Sequence, residues 1–335
     1  MDLKNLGEHF ALWRAARAAC RPLPARLPSG FTRWKDLDEY RRALSEVRRD
    51  WSLAGQYELH QQIQHRLPGA LRAICAECDA VTLMHFDQPE SGETNWRETL
   101  RCERCGLINR WRLAMHLFQV LRTDEHLGPI YITEQLTPLY LAFKRRAAQT
   151  IGSEYLGPDC AGGETRVHLG HELRHEDVTA LSMADNSIGA IGCFDVLEHV
   201  PDFLPSLSEF HRVLEPGGTL VISVPMNLEA YTNERRAEIA EDGSIRHLME
   251  PQYHGDPVRA EGVLCFHEFG WELVDQIRAA GFMESELWTV WAPEFGYLGA
   301  FQPFFIARKR GVPVRVDAHP ALVQTRLRAQ EHADG

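Results

Sequence analysis

Cys75 and Cys78, then 23 residues, then Cys102 and Cys105 form two Cys-x2-Cys pairs. Thiolates at this spacing sit on two short knuckles and can converge tetrahedrally on one ion, and four sulfurs select zinc. Gly106 directly follows the second pair, where a knuckle needs a tight turn. With sulfur in all four positions no place is left for water or substrate, so this zinc is expected to be structural. Cys20, Cys160, Cys193 and Cys265 show no paired spacing and read as ordinary core or surface thiols. A second group with chemical capacity is the run from His247 to Pro257, which holds His247, Tyr253, His254 and Asp256, followed by Leu264 to Trp271. An imidazole with its near-neutral reference pKa suits proton removal, whereas His-x6-His lacks companion ligands of clear spacing for a metal.

These residues need elements to hold them. Leu6, Phe10 and Trp13 recur at helical spacing between Leu3 and Cys20, and prolines then break the pattern. Thr32 to Leu53, with Trp34, Leu37, Tyr40, Leu44 and Val47 on one side, predicts a second helix, and Asn109 to Arg122 another. Beyond Gly128-Pro129 short apolar runs alternate with helical patterns, the signature of a parallel sheet covered by helices. Strands are expected at Ile130–Thr133, Thr150–Glu154, Ile188–Leu197, Gly218–Val224, Phe282–Trp291 and Tyr297–Ala307, the last two as an antiparallel pair. This gives a helical N-terminal domain over 1–127 with a zinc ribbon at 68–107, an α/β domain over 128–310, and a polar tail over 311–335.

The bulk composition, 44% hydrophobic and 25% charged over 335 residues, is that of a globular protein. No apolar run approaches the roughly 18 residues that a spanning helix needs. The N-terminus lacks a secretory layout, so a cytoplasmic location with reduced thiols is expected. A net charge of -11 speaks against a nucleic-acid partner, which phosphate binders meet with a basic surface.

Three segments then carry a resemblance: Arg174 to Ser187, Cys193-Phe194-Asp195-Val196-Leu197-Glu198-His199-Val200, and Phe210 to Pro225 with its Pro216-Gly217-Gly218 turn. In order, they resemble the motifs after the third strand, at the fourth and around the fifth strand of class I S-adenosylmethionine (SAM) dependent methyltransferases, over roughly residues 130–308. The resemblance implies a doubly wound, Rossmann-like, seven-stranded sheet, SAM as cofactor, and a small-molecule acceptor such as a sugar or natural-product intermediate. It puts Glu154, in Gly152-Ser153-Glu154-Tyr155, where the family keeps the acid for the ribose hydroxyls, and Asp177, beside Val178, where an acid accepts the adenine amino proton. Asp195 and His199 lie along the fourth-strand edge. Glu134, 20 residues before Glu154 and shortly before Thr137, stands for the first-strand acid that would hold the cofactor ammonium group.

Two departures stand out. The first loop reads Tyr131-Ile132-Thr133-Glu134-Gln135-Leu136-Thr137-Pro138, with no glycine where the family brings bare backbone to the cofactor, and Gly189 replaces an acid at the start of the fourth strand. The insert from His247 to Trp271 falls where many such enzymes close over the acceptor. His254 and His247 are the candidate general bases, with Tyr253 and Asp256 orienting them or the acceptor. The rival readings are an RNA methyltransferase, since some of those also carry an N-terminal four-cysteine module, and a catalytically silent binding module that kept the fold.

Overall fold

The structure, a computed structural model, describes residues 30–64, 69–87, 94–121, 128–168, 170–255, 258 and 261–311. The helix expected between Leu3 and Cys20, the candidate Asp256, and the tail beyond residue 311 lie outside them. The chain divides into two compact units, one containing Asp38–Phe118 and Thr289–Gln302, the other Arg33–Leu37, Gln119–Trp288 and the chain from Pro303. The sequence boundary at residue 128 therefore misses the return of Thr289–Gln302 to the first unit.

In the first unit, Gly69–Cys75 and Ala80–Phe86 pair antiparallel, and Arg101–Cys102 adds a third strand against the second. Burial alternates along both long strands, as a sheet with one covered face requires. Leu71, Ala73, Met84 and Phe86 face a core with Trp96, Leu100, Trp291 and Leu298. Three polar side chains, of which Asn109 and Arg112 are buried and Glu58 half-buried, fasten Thr289–Gln302 into this unit. Glu58 Oε1 accepts from Trp291 Nε1 at 2.7 Å and Gly299 N at 2.8 Å. Asn109 Nδ2 donates to Trp96 O and Leu298 O. The buried Arg112 guanidinium donates to Phe295 O at 2.7 Å and Gly296 O at 3.1 Å.

The central sheet has seven strands, β1 (Gly30–Trp34), β2 (Ile130–Ile132), β3 (Ile151–Gly152), β4 (Ile188–Phe194), β5 (Leu214–Ser223), β6 (Glu284–Ala292) and β7 (Tyr297–Arg308), in the order β1-β6-β7-β5-β4-β2-β3. Strands β3, β2, β4 and β5 run parallel, while β7 is antiparallel to β5, so the sheet is mixed. Every residue of β4 is buried, which fits a parallel strand covered on both faces. Because β2 pairs with β3 on one side and β4 on the other, the order reverses there. A crevice at the carboxyl ends of β2 and β4 follows, where open α/β folds bind ligands. The helix Pro138–Arg146 leaves the β2 loop with Thr137 as its cap, Thr137 Oγ1 accepting from Tyr140 N at 3.2 Å, Pro138 in its first turn and three basic residues in its last.

Two expectations are corrected. Thr32–Leu53 is not one helix: β1 is followed by helices at Leu37–Arg42 and Leu44–Gln64. Only Trp34 of β1 is buried, and it shares its helical spacing with Leu37 and Tyr40 of the next element. The seven-stranded count is reached with β1, because the strand expected beyond β3 is reduced to a single parallel bridge between Glu154 and His175. A parallel return needs a crossover of about a dozen residues or more. Pro158 and the glycines of 157–163 supply no helix for one, and the chain forms a hairpin instead, Thr165–His168 against His171–Arg174.

Replacing Arg112 by Met keeps most of the volume but leaves the Phe295 and Gly296 carbonyls without their donor. The expected loss is about 1–3 kcal/mol, read as a lower urea midpoint with unchanged slope. A midpoint equal to the parent's would show that the fastening is not made by these bonds.

Candidate functional site

The four cysteines of the ribbon come together at the ends of its strands. Cys75 N-terminal to one knuckle accepts from Cys78 N at 3.2 Å, and in the other Gly106 N donates to Cys102 O at 2.9 Å. Gly106 holds φ +74 with nothing near its missing side chain, so backbone conformation alone demands the glycine. All four sulfurs lie within 4.8 Å of one another, with Cys75–Cys105 at 3.8 Å and Cys78–Cys102 at 3.9 Å, and none forms a disulfide. Sulfurs about 2.3 Å from one ion at tetrahedral angles stand about 3.8 Å apart, so the cluster fits zinc. The crowding has an electrostatic trace. Hydrogen bonding from Cys105 holds the Cys75 thiol down to about 5, with a smaller contribution from the Arg112 charge, while burial and the Cys75 charge push Cys78 up to about 12. A divalent cation relieves that repulsion.

The second group lies at the carboxyl edge of the sheet in the other unit, at the switch point between β2 and β4. Thr133 N, just past β2, donates to Gly192 O of β4, and Glu134 to Thr137 form the loop into the following helix. Glu154 follows β3, and its Oε1 accepts from Gln135 N at 2.7 Å and Leu136 N at 3.0 Å. Gln135 also reaches across, its Nε2 donating to Glu172 O and its Oε1 accepting from Arg174 N. A loop that lacks glycine is thus held by side chains. Gly152 is the position where a side chain cannot be accommodated: a Cβ there would stand 2.5 Å from the Tyr140 ring and 2.8 Å from Glu134 O.

Asp177 Oδ1 accepts from Thr179 N at 2.9 Å and Thr179 Oγ1 at 2.7 Å, a local turn that fixes the carboxylate. Its loop is braced by the buried Glu176, which takes Arg174 and both the amide and hydroxyl of Ser182. Val178 beside it is half-buried, and Tyr155 is exposed with its ring 5.3 Å from His175. Asp195 ends β4 in the left-handed region at φ +54, its amide donating to Ser223 O and its Oδ1 accepting from Ser223 Oγ at 3.2 Å. Such strain in a non-glycine residue is typical of ligand sites, and here it turns the chain into the short helix Leu197–His199.

The insert after β5 folds as small hairpins, and backbone bonds tie it to that short helix. Phe266 N donates to Glu198 O at 2.7 Å, and His199 Nδ1 stands 2.9 Å from Leu264 O. His254, on the hairpin strand Tyr253–His254, is thereby brought to the sheet edge, its ring 5.1 Å from His199. Of the other acceptor-side candidates, Tyr253 is exposed, and His247 is exposed at the end of a different hairpin, paired with Ala237. The structure joins His254 to two residues the sequence reading gave no role, Glu198 and Cys265. Glu198 Oε1 lies 3.4 Å from His254 Nδ1 and 3.8 Å from His199 Nε2. Hydrogen bonding to Cys265 and Glu198 holds the His254 imidazole up to about 10, the opposite of what a general base at neutral pH needs. Glu198 sits inside the quoted Leu197-Glu198-His199-Val200 run and could have been singled out. Cys265 could not, since no local spacing links it to residues some 66 positions earlier.

Comparison with known proteins finds similarity over parts of the chain. Residues 137–222 match the methyltransferase domain family. A probable S-adenosylmethionine-dependent methyltransferase of Mycolicibacterium smegmatis is 37% identical over 54 residues, 16% of this chain and 21% of that protein. A demethylmenaquinone methyltransferase of Staphylococcus epidermidis is 44% identical over 50 residues, 15% of this chain and 21% of that protein. The chain thus spans about a fifth of the length of these curated relatives. The solved SAM-dependent methyltransferase of Mesorhizobium loti aligns over 61% of this chain and 100% of its own at 15% identity, with a TM-score of 0.39. Over residues 137–222 the chain is thus similar to methyltransferase domains. Among the described residues no helix is long and apolar enough to cross a membrane.

Glu154→Ala removes the acceptor for two loop amides, at an expected cost of about 1–3 kcal/mol. Hydrogen exchange at Gln135 and Leu136 should then accelerate by at least tenfold while amides of β4 keep their protection. Unchanged exchange at both amides would show that the loop holds itself.

Proposed function

We propose that the protein is a SAM-dependent methyltransferase of a small-molecule acceptor, with its cofactor in the crevice lined by Glu134, Thr137, Gly152, Glu154, Tyr155, Asp177, Val178, Asp195 and His199, and its acceptor under the insert that carries Tyr253 and His254. The observation that carries the reading is the convergence of the matched segment's residues on one place, the switch point between β2 and β4. The residues fit such a cofactor. Asp177 is held rigidly by its Oδ1 bonds, which leaves Oδ2 outside that turn as an acceptor for an amino group. Glu154 is braced against the first loop through Oε1, which fixes its carboxylate beside that loop. SAM supplies an electrophilic methyl group on a sulfonium. The protein's work is alignment of the acceptor in line with that group and exclusion of water. The bonds between the insert and residues 197–201, including His267 Nε2 to Pro201 O at 3.1 Å, support the insert as the cover. Net charge of -11 favours a small acceptor over RNA.

We further propose that the ribbon holds one structural zinc ion through Cys75, Cys78, Cys102 and Cys105, and that the protein acts in the cytoplasm. The sulfur spacings support the zinc, and Arg112 offsets part of the negative charge of four thiolates around one dication.

Calorimetry on the full chain should show SAM binding, weakened by about 1–3 kcal/mol in Asp177→Ala. Methyl-labelled SAM incubated with protein and a small-molecule extract should place label in a filterable product. Label only in RNA, or no SAM binding at all, would overturn the reading in favour of one of the two rivals. Cys102→Ser should lose one zinc ion per chain by elemental analysis and unfold at lower urea, and an unchanged zinc content would remove the ribbon as a metal site.

A further inference from the structure

We propose that His199, His254 and Cys265, with Glu198 beside them, form a second metal site that takes a zinc-class divalent ion and locks the insert onto the sheet edge. This goes beyond methyl transfer and requires no turnover to be true. The ligand atoms of His199, His254 and Cys265 all lie within 4.8 Å of one another, although the residues come from three separate stretches of chain. Glu198 Oε1 adds a fourth donor, 3.4 Å from His254 Nδ1 and 3.8 Å from His199 Nε2. Nitrogen and oxygen ligands about 2.0–2.1 Å from a tetrahedral ion stand about 3.4 Å apart, so the imidazoles and the carboxylate need only a small inward movement.

The protonation pattern is that of a ligand. A carbonyl only accepts, so the 2.9 Å contact between His199 Nδ1 and Leu264 O places the proton on Nδ1. The Nε2 lone pair is then aimed at the cluster, the arrangement by which a carbonyl commonly orients a metal-bound imidazole. His254 turns Nε2 toward the Gln252 amide and Nδ1 toward Glu198.

Glu198 is the independent observation. Its side chain is completely buried, and the His254 imidazole at 3.4 Å and the His199 imidazole at 3.8 Å are the partners of its Oε1. A carboxylate buried with so few donors around it is unfavourable, and a cation beside it offsets that. Once an ion displaces the His254 and Cys265 protons to solvent, Glu198 and the Cys265 thiolate around a dication, with two neutral imidazoles, make a neutral assembly. Two imidazoles and one sulfur select zinc, cobalt or copper over magnesium or calcium. The ion would join Glu198 and His199 of the β4 exit to His254 and Cys265 of the insert, so it would fix the cover over the proposed acceptor space.

Full-length protein purified without chelator should hold about two zinc ions per chain, with X-ray absorption at the zinc edge reporting both sulfur and nitrogen neighbours. Cys265→Ser, a small change at a buried position, and His254→Gln, at a half-buried one, should each lower the count to about one ion with sulfur neighbours only. Cys102→Ser should instead leave about one ion with mixed neighbours. Parent protein holding ions with sulfur neighbours alone, or a zinc count that neither Cys265→Ser nor His254→Gln changes, would overturn this site. Mixed neighbours in a parent with a single ion, lost in Cys265→Ser, would uphold it and count against the ribbon. The SAM titration reports separately, so failure of the methyl-transfer reading and failure of this site are distinguishable.

Discussion

The candidate cofactor crevice depends on one carboxylate. A parallel α/β sheet opens its ligand site where strand order reverses, and most of the geometry there is set by the loop leaving the central strand. In this chain that loop contains no glycine and does not wrap a ligand with bare backbone. Instead Glu154 gathers the amides of Gln135 and Leu136 onto one oxygen, and Gln135 bridges onward to the backbone at Glu172 and Arg174. Charge-assisted bonds from a carboxylate to backbone amides are roughly twice as strong as neutral ones. They substitute for the turn propensity that glycine would have contributed. The same constraint explains Gly152, because a loop pulled toward β3 leaves no room for a side chain between Tyr140 and the Glu134 carbonyl.

A shortened path between β3 and β4 follows from the same economy. Without a helix to carry a crossover, the chain after Glu154 adds only one bridge to the sheet before the hairpin Thr165–His168 and His171–Arg174 returns it to Asp177. Side-chain contacts then replace sheet pairing as the means of holding the Asp177 loop: Arg174 and Ser182 both donate to the buried Glu176 carboxylate, and Arg174 also donates to Ser182 Oγ. Glu198 stands in contrast. It has been removed from water beside the His254 imidazole at 3.4 Å, without a comparable set of donors.

The first unit follows a different physical rule. Its sheet is small, with one apolar face, and two of its core residues are cysteines, Cys75 and Cys102. Units of this size gain stability from linkages other than apolar burial. Here those are the sulfur cluster and the polar side chains of Glu58, Asn109 and Arg112, which return the Thr289–Gln302 segment to this unit. The sequence boundary at residue 128 missed that return for a physical reason: a hairpin signal around Pro293 to Gly296 states that two strands turn, not which body their tip joins.

Local patterns determined much of this protein. The Cys-x2-Cys spacing specified the sulfur cluster, since a knuckle needs only four or five consecutive residues. Apolar periodicity located six strands of the central sheet to within a few residues, because parallel strands buried on both faces are continuous apolar runs. The motifs around Asp177, Leu197 to Val200 and Pro216 to Gly218 pointed to the methyltransferase class. Tertiary structure alone decided the rest. It put Trp34 at the end of β1, although Trp34 shares helical spacing with Leu37 and Tyr40 of the following helix, and it made Glu154 a brace for the first loop. It also left His247 exposed while drawing His254 to Glu198, His199 and Cys265, which are scattered over 68 positions of sequence. Contacts between distant segments leave no period in the chain, so only the packing of the insert onto the β4 exit could bring those four residues together.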